Sequence, residues 1–192
     1  DFAGDLLLKE VQERVVAVLR MAEALSPKYH VVVANPPYMG SKGMNEKLQD
    51  FAKAFYPDSK ADLFAMFMER TLALSRKRGL MAMINMQSWM FLSSFEKLRG
   101  KLLSESTFLS MAHLGERAFD SIGGAVVSTT AFVVCNERYL QFSGDFLRLT
   151  KGKSEVEKAN LLAQAVQSPN AAWHFRTSAQ DLGKIPGSPI AY

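Results

Sequence analysis

Apolar side chains recur along this chain with two spacings, one typical of helices and one typical of buried strands. The clearest helical stripe covers residues 61–75 and consists of Leu63, Phe64, Phe67, Met68, Leu72 and Leu74. A second amphipathic helix is predicted over residues 11–25, and Pro27 then prevents its continuation. Shorter helical patterns cover residues 45–55 and 153–167.

Two local patterns predict helix ends. Arg76, Lys77 and Arg78 follow the helix over residues 61–75, and their charges suit the negative end of the helix dipole. Gly79 is then expected to take the left-handed position that stops a helix. Ser93-Ser94-Phe95-Glu96 has the spacing of a capping box, which predicts a helix to about Leu103.

Four apolar runs predict buried strands, and they cover residues 31–34, 80–85, 108–114 and 126–135. The order is strand, helix, strand, helix, strand, loop, strand. Helical crossovers between strands predict an α/β fold with a mostly parallel sheet, whose last strand is antiparallel.

Composition allows several kinds of protein and excludes few. The chain has 192 residues, 48% of them hydrophobic, which is enough for one domain with a real core. A net charge of +4 is compatible with a polyanionic partner but does not require one. Cys135 is the single cysteine, so an internal disulfide is excluded and a reducing cytoplasm is the expected location. No run approaches the ~20 apolar residues of a membrane span, so no membrane partner is expected.

The most informative residues follow the first predicted strand. Asn35-Pro36-Pro37-Tyr38 comes directly after the apolar run 31–34. In an open α/β sheet, ligands bind at the carboxyl ends of the strands. Two prolines make the turn rigid, Asn35 offers an acceptor oxygen, and Tyr38 offers a flat ring. Such a site suits a planar amine, although a packed turn that merely ends a strand has the same letters.

The motif resembles the catalytic motif of amino-methyltransferases that use S-adenosylmethionine, above all the N6-adenine DNA methyltransferases. The longer string from Val33 to Met44, Val-Ala-Asn-Pro-Pro-Tyr-Met-Gly-Ser-Lys-Gly-Met, resembles the large adenine methyltransferases of BREX (PglX-type) phage-resistance systems. That group is similar to type IIG restriction-modification enzymes. The resemblance implies a Rossmann-like methyltransferase sheet, S-adenosylmethionine as cofactor, and double-stranded DNA with a flipped adenine as substrate.

The resemblance also implies roles for individual residues. Asn35, Pro36, Pro37 and Tyr38 would form the catalytic site, and Tyr38 would stack on the adenine. The segment 113–119, His-Leu-Gly-Glu-Arg-Ala-Phe, is similar to the loop that presents an aromatic ring to the flipped base, which makes Phe119 the second stacking candidate. The alternative is that the Phe119 ring only packs the loop against the core.

Three further residues have a weaker implied role. By resemblance, Asp62, Leu63 and Phe64 would border the adenosine of the cofactor. An acid at a helix N-terminus that stabilises the dipole is the simpler interpretation of Asp62. The three histidines have no metal-ligand spacing, and with one cysteine a metal site is not expected.

The resemblance covers only part of a methyltransferase domain. The catalytic strand should be preceded by a strand with a Gly-rich cofactor loop, but no Gly-x-Gly occurs in the chain. Residues 1–150 are therefore predicted to be the second half of the catalytic domain, and residues 151–192 a helix and an extended linker toward a target-recognition region. The partners would be the remainder of the parent polypeptide and other defence-system subunits, and the isolated chain should be inactive.

Two other functions stay open. A glutamine amide or an RNA amine presents a similar two-hydrogen geometry to the same motif, so the substrate could belong to either class. A non-catalytic, methyltransferase-like scaffold that binds DNA is the other alternative.

Overall fold

The computed structural model describes residues 6–119, 127–168 and 170–192. Within them the chain forms six α-helices and six strands. The helices are α1 (Leu6–Leu25), α2 (Glu46–Phe55), α3 (Leu63–Leu74), α4 (Glu96–Glu105), α5 (Glu155–Gln167) and α6 (Ala179–Gly183). The strands are β1 (Tyr29–Ala34), β2 (Ser75–Met86), β3 (Thr107–Gly115), β4 (Thr129–Cys135), β5 (Ser143–Arg148) and β6 (His174–Ser178).

All six strands belong to one mixed sheet with the order β1-β2-β4-β3-β5-β6. β1 and β2 are parallel, as are β3 and β5, whereas β4 is antiparallel to both of its neighbours and β6 to β5. Four strands therefore run in one direction and two in the other. The predicted α/β class is confirmed, and so is the antiparallel direction of the strand predicted at 126–135, whose first residue, Val126, lies outside the described residues.

Two features of the sheet were not predicted. β4 does not sit at the end of the sheet but between β2 and β3. β5 and β6 then extend the sheet beyond β3, so residues 174–178, expected in a linker, lie in the same sheet as the motif-bearing strand. The role of residues 151–192 as a path to a recognition region stays a prediction.

The expected stop of α3 at Gly79 is wrong. The helix ends at Leu74, and Arg76, Lys77 and Arg78 lie in β2. Asn136 donates from Nδ2 to the carbonyls of Leu72, Ser75 and Arg76, so the helix end is satisfied without a left-handed glycine.

Gly79 has a different reason to be glycine. Arg78, not Gly79, takes the left-handed conformation, with φ of 63°. A Cβ at Gly79 would lie 2.8 Å from the Arg76 carbonyl oxygen and 3.1 Å from that of His30. Close backbone approach between β1 and β2 therefore requires the missing side chain.

The predicted capping box is also wrong. Residues Ser93–Phe95 form a 3₁₀ turn, and α4 begins at Glu96 with Phe95 at the cap position and no side-chain cap. Phe95 is only 3% exposed, so the turn buries its ring instead of placing Ser93 at the helix start.

Helices α3 and α4 cover one face of the sheet and enclose the core between them. The core contains side chains from four strands and both helices: Met81 and Met83 of β2, Phe108 of β3, Phe132 of β4, Phe146 of β5, Phe64 and Met68 of α3, and Leu98 and Leu102 of α4. The alternation along β2, with buried and half-buried residues in turn, shows that its other face is less covered.

The C-terminal residues pack against this core. Ile190 is 1% exposed, and its backbone N–H donates to the Met90 carbonyl at 2.9 Å. Arg99 of α4, 2% exposed, holds the segment in place by donating to four backbone carbonyl oxygens, those of Trp89, Leu92, Gly187 and Ser188, at 2.6–3.1 Å. Burial lowers the pKa of the Arg99 guanidinium, and Glu96 opposes that shift.

The opposite end of the sheet is open. In α1, every residue from 8 to 25 is exposed, and its apolar side chains include Val11, Val15, Val18 and Leu19. β1 pairs with β2 on one side only, and Val33 is 74% exposed.

No helix among the described residues is long and apolar enough to cross a membrane.

Candidate functional site

The motif lies where the sequence predicts it, at the carboxyl end of β1. Ala34 is the last strand residue and pairs with Met83 of β2. Asn35 and Pro37 are exposed, Pro36 is buried, and Tyr38 is half-buried. The buried proline fixes the turn, while the Asn35 amide remains accessible to a ligand.

Tyr38 is held against the core by its ring. The ring meets Phe64 edge to face, with centroids 6.2 Å apart and planes at 87°. Burial raises the pKa of the Tyr38 hydroxyl, so the side chain is neutral and apolar in character. Edge-to-face packing positions the ring without covering both of its faces.

Hydrogen bonds to Asp62 connect the residues after the motif with the start of α3. Its carboxylate accepts hydrogen bonds from the backbone N–H groups of Met39 at 3.0 Å and Phe64 at 3.3 Å. The Leu63 N–H donates to the Met39 carbonyl, which closes the link. Burial raises the pKa of Asp62, and these backbone N–H groups partly offset that rise. Asp62 is therefore an N-cap that also positions the turn carrying Asn35.

The three residues with an implied adenosine role differ in access. Asp62 and Leu63 are half-buried, whereas Phe64 is fully buried and its ring packs against Tyr38 and Phe95. The Phe64 side chain therefore supports Tyr38 from the core side. A cofactor role for this triplet stays a prediction, and Asp62 and Leu63 have the accessible side chains.

A groove of about 1000 Å³ runs over the less covered face of the sheet and begins at Asn35. Residues of all six strands and of α5 line it. Most of the lining side chains are apolar, among them Val33, Ala82, Ile84, Ala112, Ala131, Val133, Leu147, Leu162 and Val166. Pockets that hold organic ligands are mostly apolar with a few polar groups. Sequence reasoning did not find this groove, because its walls come from strands far apart in the chain.

Polar groups lie at one end of the groove. His174 shares a hydrogen bond of 2.8 Å between its Nε2 and Oδ1 of Asp145, and the Arg176 guanidinium lies 3.5 Å from the same oxygen. These residues belong to β5 and β6, which the sequence analysis did not identify as strands.

A second polar pair spans the carboxyl ends of β2 and β3. Nε2 of His113 lies 2.6 Å from Oε1 of Gln87. Burial lowers the pKa of His113, and the charges of Arg148 and Lys158 add to the shift. The imidazole is therefore held neutral, with Nε2–H donating to Gln87.

Phe119 is half-buried and lines a smaller cavity of about 300 Å³ together with Leu114, Lys158 and Leu162. Leu162 also lines the larger groove, so the two cavities share a wall. Among the described residues no ring contact joins Phe119 to Tyr38. Base stacking by Phe119 stays a prediction.

Within the described ranges, no three His, Cys, Asp or Glu residues cluster closely enough to hold a metal ion.

Comparison with known proteins gives consistent results. Residues 8–119, more than half of the chain, match the Eco57I restriction-modification methylase family. The chain is 50% identical over 190 residues to the adenine-specific methyltransferase BrxX of Escherichia coli O9:H4 (strain HS), covering 98% of this chain. It is 48% identical over 175 residues to the adenine-specific methyltransferase PglX of Lacticaseibacillus casei (strain Zhang), covering 91% of this chain. The chain spans only 15% and 14% of the lengths of these two relatives.

Solved structures show the same fold at low sequence identity. A chain of a type I restriction-modification system, solved in a study of its complex assembly, superposes with a TM-score of 0.65 at 16% identity, over 88% of this chain and 38% of that one. A class I S-adenosylmethionine-dependent methyltransferase of Listeria monocytogenes, described as putative, gives a TM-score of 0.51 at 14% identity, over 73% of this chain and 42% of that one. These likenesses confirm the Rossmann-like methyltransferase architecture.

Proposed function

Since this chain belongs to the Eco57I restriction-modification methylase family, we propose that it contributes the catalytic face of an enzyme that methylates N6 of adenine in double-stranded DNA. The observation that carries the proposal is the position of Asn35. Its exposed amide stands at the carboxyl end of a parallel strand, beside a groove of about 1000 Å³. The likeness to BrxX and PglX supports adenine as the base.

S-adenosylmethionine would supply an electrophilic methyl group at this site. The residues present fit such a cofactor, because the Asn35 amide is exposed and Asp62 and Leu63 keep partly exposed side chains beside the motif. They would lie at the adenosine edge.

The adenine amine is a poor nucleophile, since its lone pair is delocalised into the ring. Acceptance of its two hydrogens by the Asn35 side-chain oxygen and the Pro36 carbonyl would stabilise the positive charge that develops on nitrogen. The rigid Pro36-Pro37 turn would orient the amine toward the methyl group. Neither a metal ion nor a covalent enzyme intermediate is needed for this transfer.

Extrusion of the adenine costs a few kcal/mol. Stacking on Tyr38 and Phe119 would offset part of that cost, at roughly 1–3 kcal/mol per base. DNA, the rest of the polypeptide and other subunits of the defence system are the proposed partners. Residues 1–192 alone are proposed to be inactive.

A labelling experiment on the full-length protein tests this function. Incubation with S-adenosylmethionine labelled in its methyl group and with duplex DNA should place label in the DNA, recoverable as N6-methyladenine after digestion. Label in protein glutamine or in RNA would support the amide or RNA alternative instead. Absence of transfer to any of the three would support a scaffold.

Tyr38 offers a graded test of base stacking. Tyr38→Ala should lower kcat/KM for methyl transfer by about tenfold, since the loss of a stacked ring costs roughly 1–3 kcal/mol. Tyr38→Asp should cost more, because the environment that raises the pKa of the tyrosine hydroxyl also disfavours a carboxylate. Tyr38→Phe keeps the ring and is the matched control. Equal activities for the Ala and Phe variants would rule out stacking by Tyr38.

A further inference from the structure

Lys158 is buried although lysine is normally a surface residue. It lies on α5 with 4% exposure. Its ammonium donates to the backbone carbonyl oxygens of Gly152 at 2.6 Å, Leu114 at 2.7 Å and Leu149 at 3.3 Å. These three bonds use all three donors of the ammonium. Burial lowers the pKa of Lys158, while Glu157 and Glu116 favour its charged form.

The three carbonyls belong to one junction at the end of β3. Leu114 is the penultimate residue of that strand, and the turn 149–152 folds over it, with the Leu149 N–H donating to the His113 carbonyl at 2.9 Å. Gly115 then leaves the strand with φ of 65°, where a Cβ would lie 3.0 Å from Cγ2 of Thr150. The backbone is therefore tightly confined at the point where residues 115–119 begin.

The same lysine lines the cavity that contains Phe119. Ala118, Phe119 and Leu162 form walls of this cavity together with Lys158. Phe119 is only five residues beyond Leu114, so the direction in which the chain leaves β3 limits where its ring can lie. Arg117 also takes a left-handed conformation, with φ of 55°, so the chain bends sharply between Gly115 and Phe119.

We propose that Lys158 is a positioning residue for Phe119, which it holds at the base-stacking position by fixing the start of residues 115–119. The inference rests on the proposed function, in which Phe119 stacks on the extruded adenine. Lys158 itself touches neither base nor cofactor in this mechanism. An anchor for α5 with no influence on Phe119 is the competing role.

A double-mutant cycle in the full-length protein separates these roles. Lys158→Met keeps the chain length and removes the ammonium. It should lower kcat for methyl transfer about 10- to 100-fold, as misplacement of a substrate-contacting group does, with little change in the dissociation constant for DNA. Phe119→Ala should do the same, and the double variant should be no worse than Phe119→Ala alone. If the loss of kcat in the double variant equalled the product of the two single losses, the two residues would act independently and the proposal would be overturned.

A fluorescent base gives an independent measurement. With 2-aminopurine at the target adenine, Lys158→Met should reproduce the emission of the Phe119→Ala complex, because the extruded base loses the same stacking partner. Lys151→Met, an exposed lysine in the same turn, is the matched control and should behave as wild type. Wild-type emission from Lys158→Met would contradict a positioning role.

Failure of the proposed function would be recognised separately. If the wild-type protein methylates no DNA, hydrogen exchange of residues 114–119 still tests whether Lys158 fixes the start of this segment. Exchange that is faster in Lys158→Met than in Lys151→Met supports the control of this segment by Lys158. Equal exchange in the two variants overturns it.

Discussion

Asn35→Ala in the full-length protein is expected to reduce N6-methyladenine formation about 10²- to 10³-fold, the usual cost of removing one preorganised polar group that stabilises transition-state charge. The affinity for DNA should change little, because the Asn35 interaction is strongest in the transition state. Asn35 is exposed and directly follows β1, so its truncation should leave the fold intact. Single-turnover methyl transfer and DNA titration measure the two quantities separately.

Asn160→Ala is a suitable control, since Asn160 is exposed on α5. It should retain wild-type rates. If Asn35→Ala retained more than about a tenth of the wild-type rate, Asn35 would contribute less than a typical oxyanion-hole group does and would not be the principal acceptor.

Arg99→Met should release the C-terminal segment from the core. The substitution removes the donor of four carbonyls, in one buried and three partly buried hydrogen bonds, and an unsatisfied buried group costs about 1–3 kcal/mol. A net loss of about 3 kcal/mol corresponds to roughly a hundredfold more frequent local opening. Hydrogen exchange at the Ile190 amide, which donates to the Met90 carbonyl, should accelerate accordingly.

Arg138→Met provides the comparison, because Arg138 is an exposed arginine. Its effect on Ile190 exchange should be negligible. Unchanged protection of Ile190 in Arg99→Met would show that apolar packing of the segment, and not the guanidinium, holds it in place.

The fold was predictable where an element's own side chains determine its burial. α3 and β1 have continuous apolar patterns, and both were predicted within a few residues of their observed bounds. β5 and β6 were missed because they carry Asp145, His174 and Arg176, polar residues that pair across the two strands. Such strands form because the edge strand of the sheet offers free backbone hydrogen-bonding groups, and the sequence of the segment does not show that edge.

The same distinction applies to the candidate site. The turn from Asn35 to Tyr38 could be placed from sequence because the motif directly follows its strand. The Asp62 contact with Met39 joins residues 23 positions apart, and the Lys158 contact with Leu114 joins residues 44 apart, so neither has a local pattern. The sequence does contain one indication that Lys158 is buried. It lies on the same face of the helix as Leu162 and Ala165, where a buried side chain is expected.

The placement of β4 next to β3 has a consequence for the length of the connection between them. Gly115 and Thr129 are cross-strand partners, so the connection between them begins and ends at one fixed point of the sheet. When two ends of a connection are held together in this way, doubling the number of residues between them costs only about 0.6 kcal/mol. Residues added between Gly115 and Thr129 would therefore cost the sheet little stability.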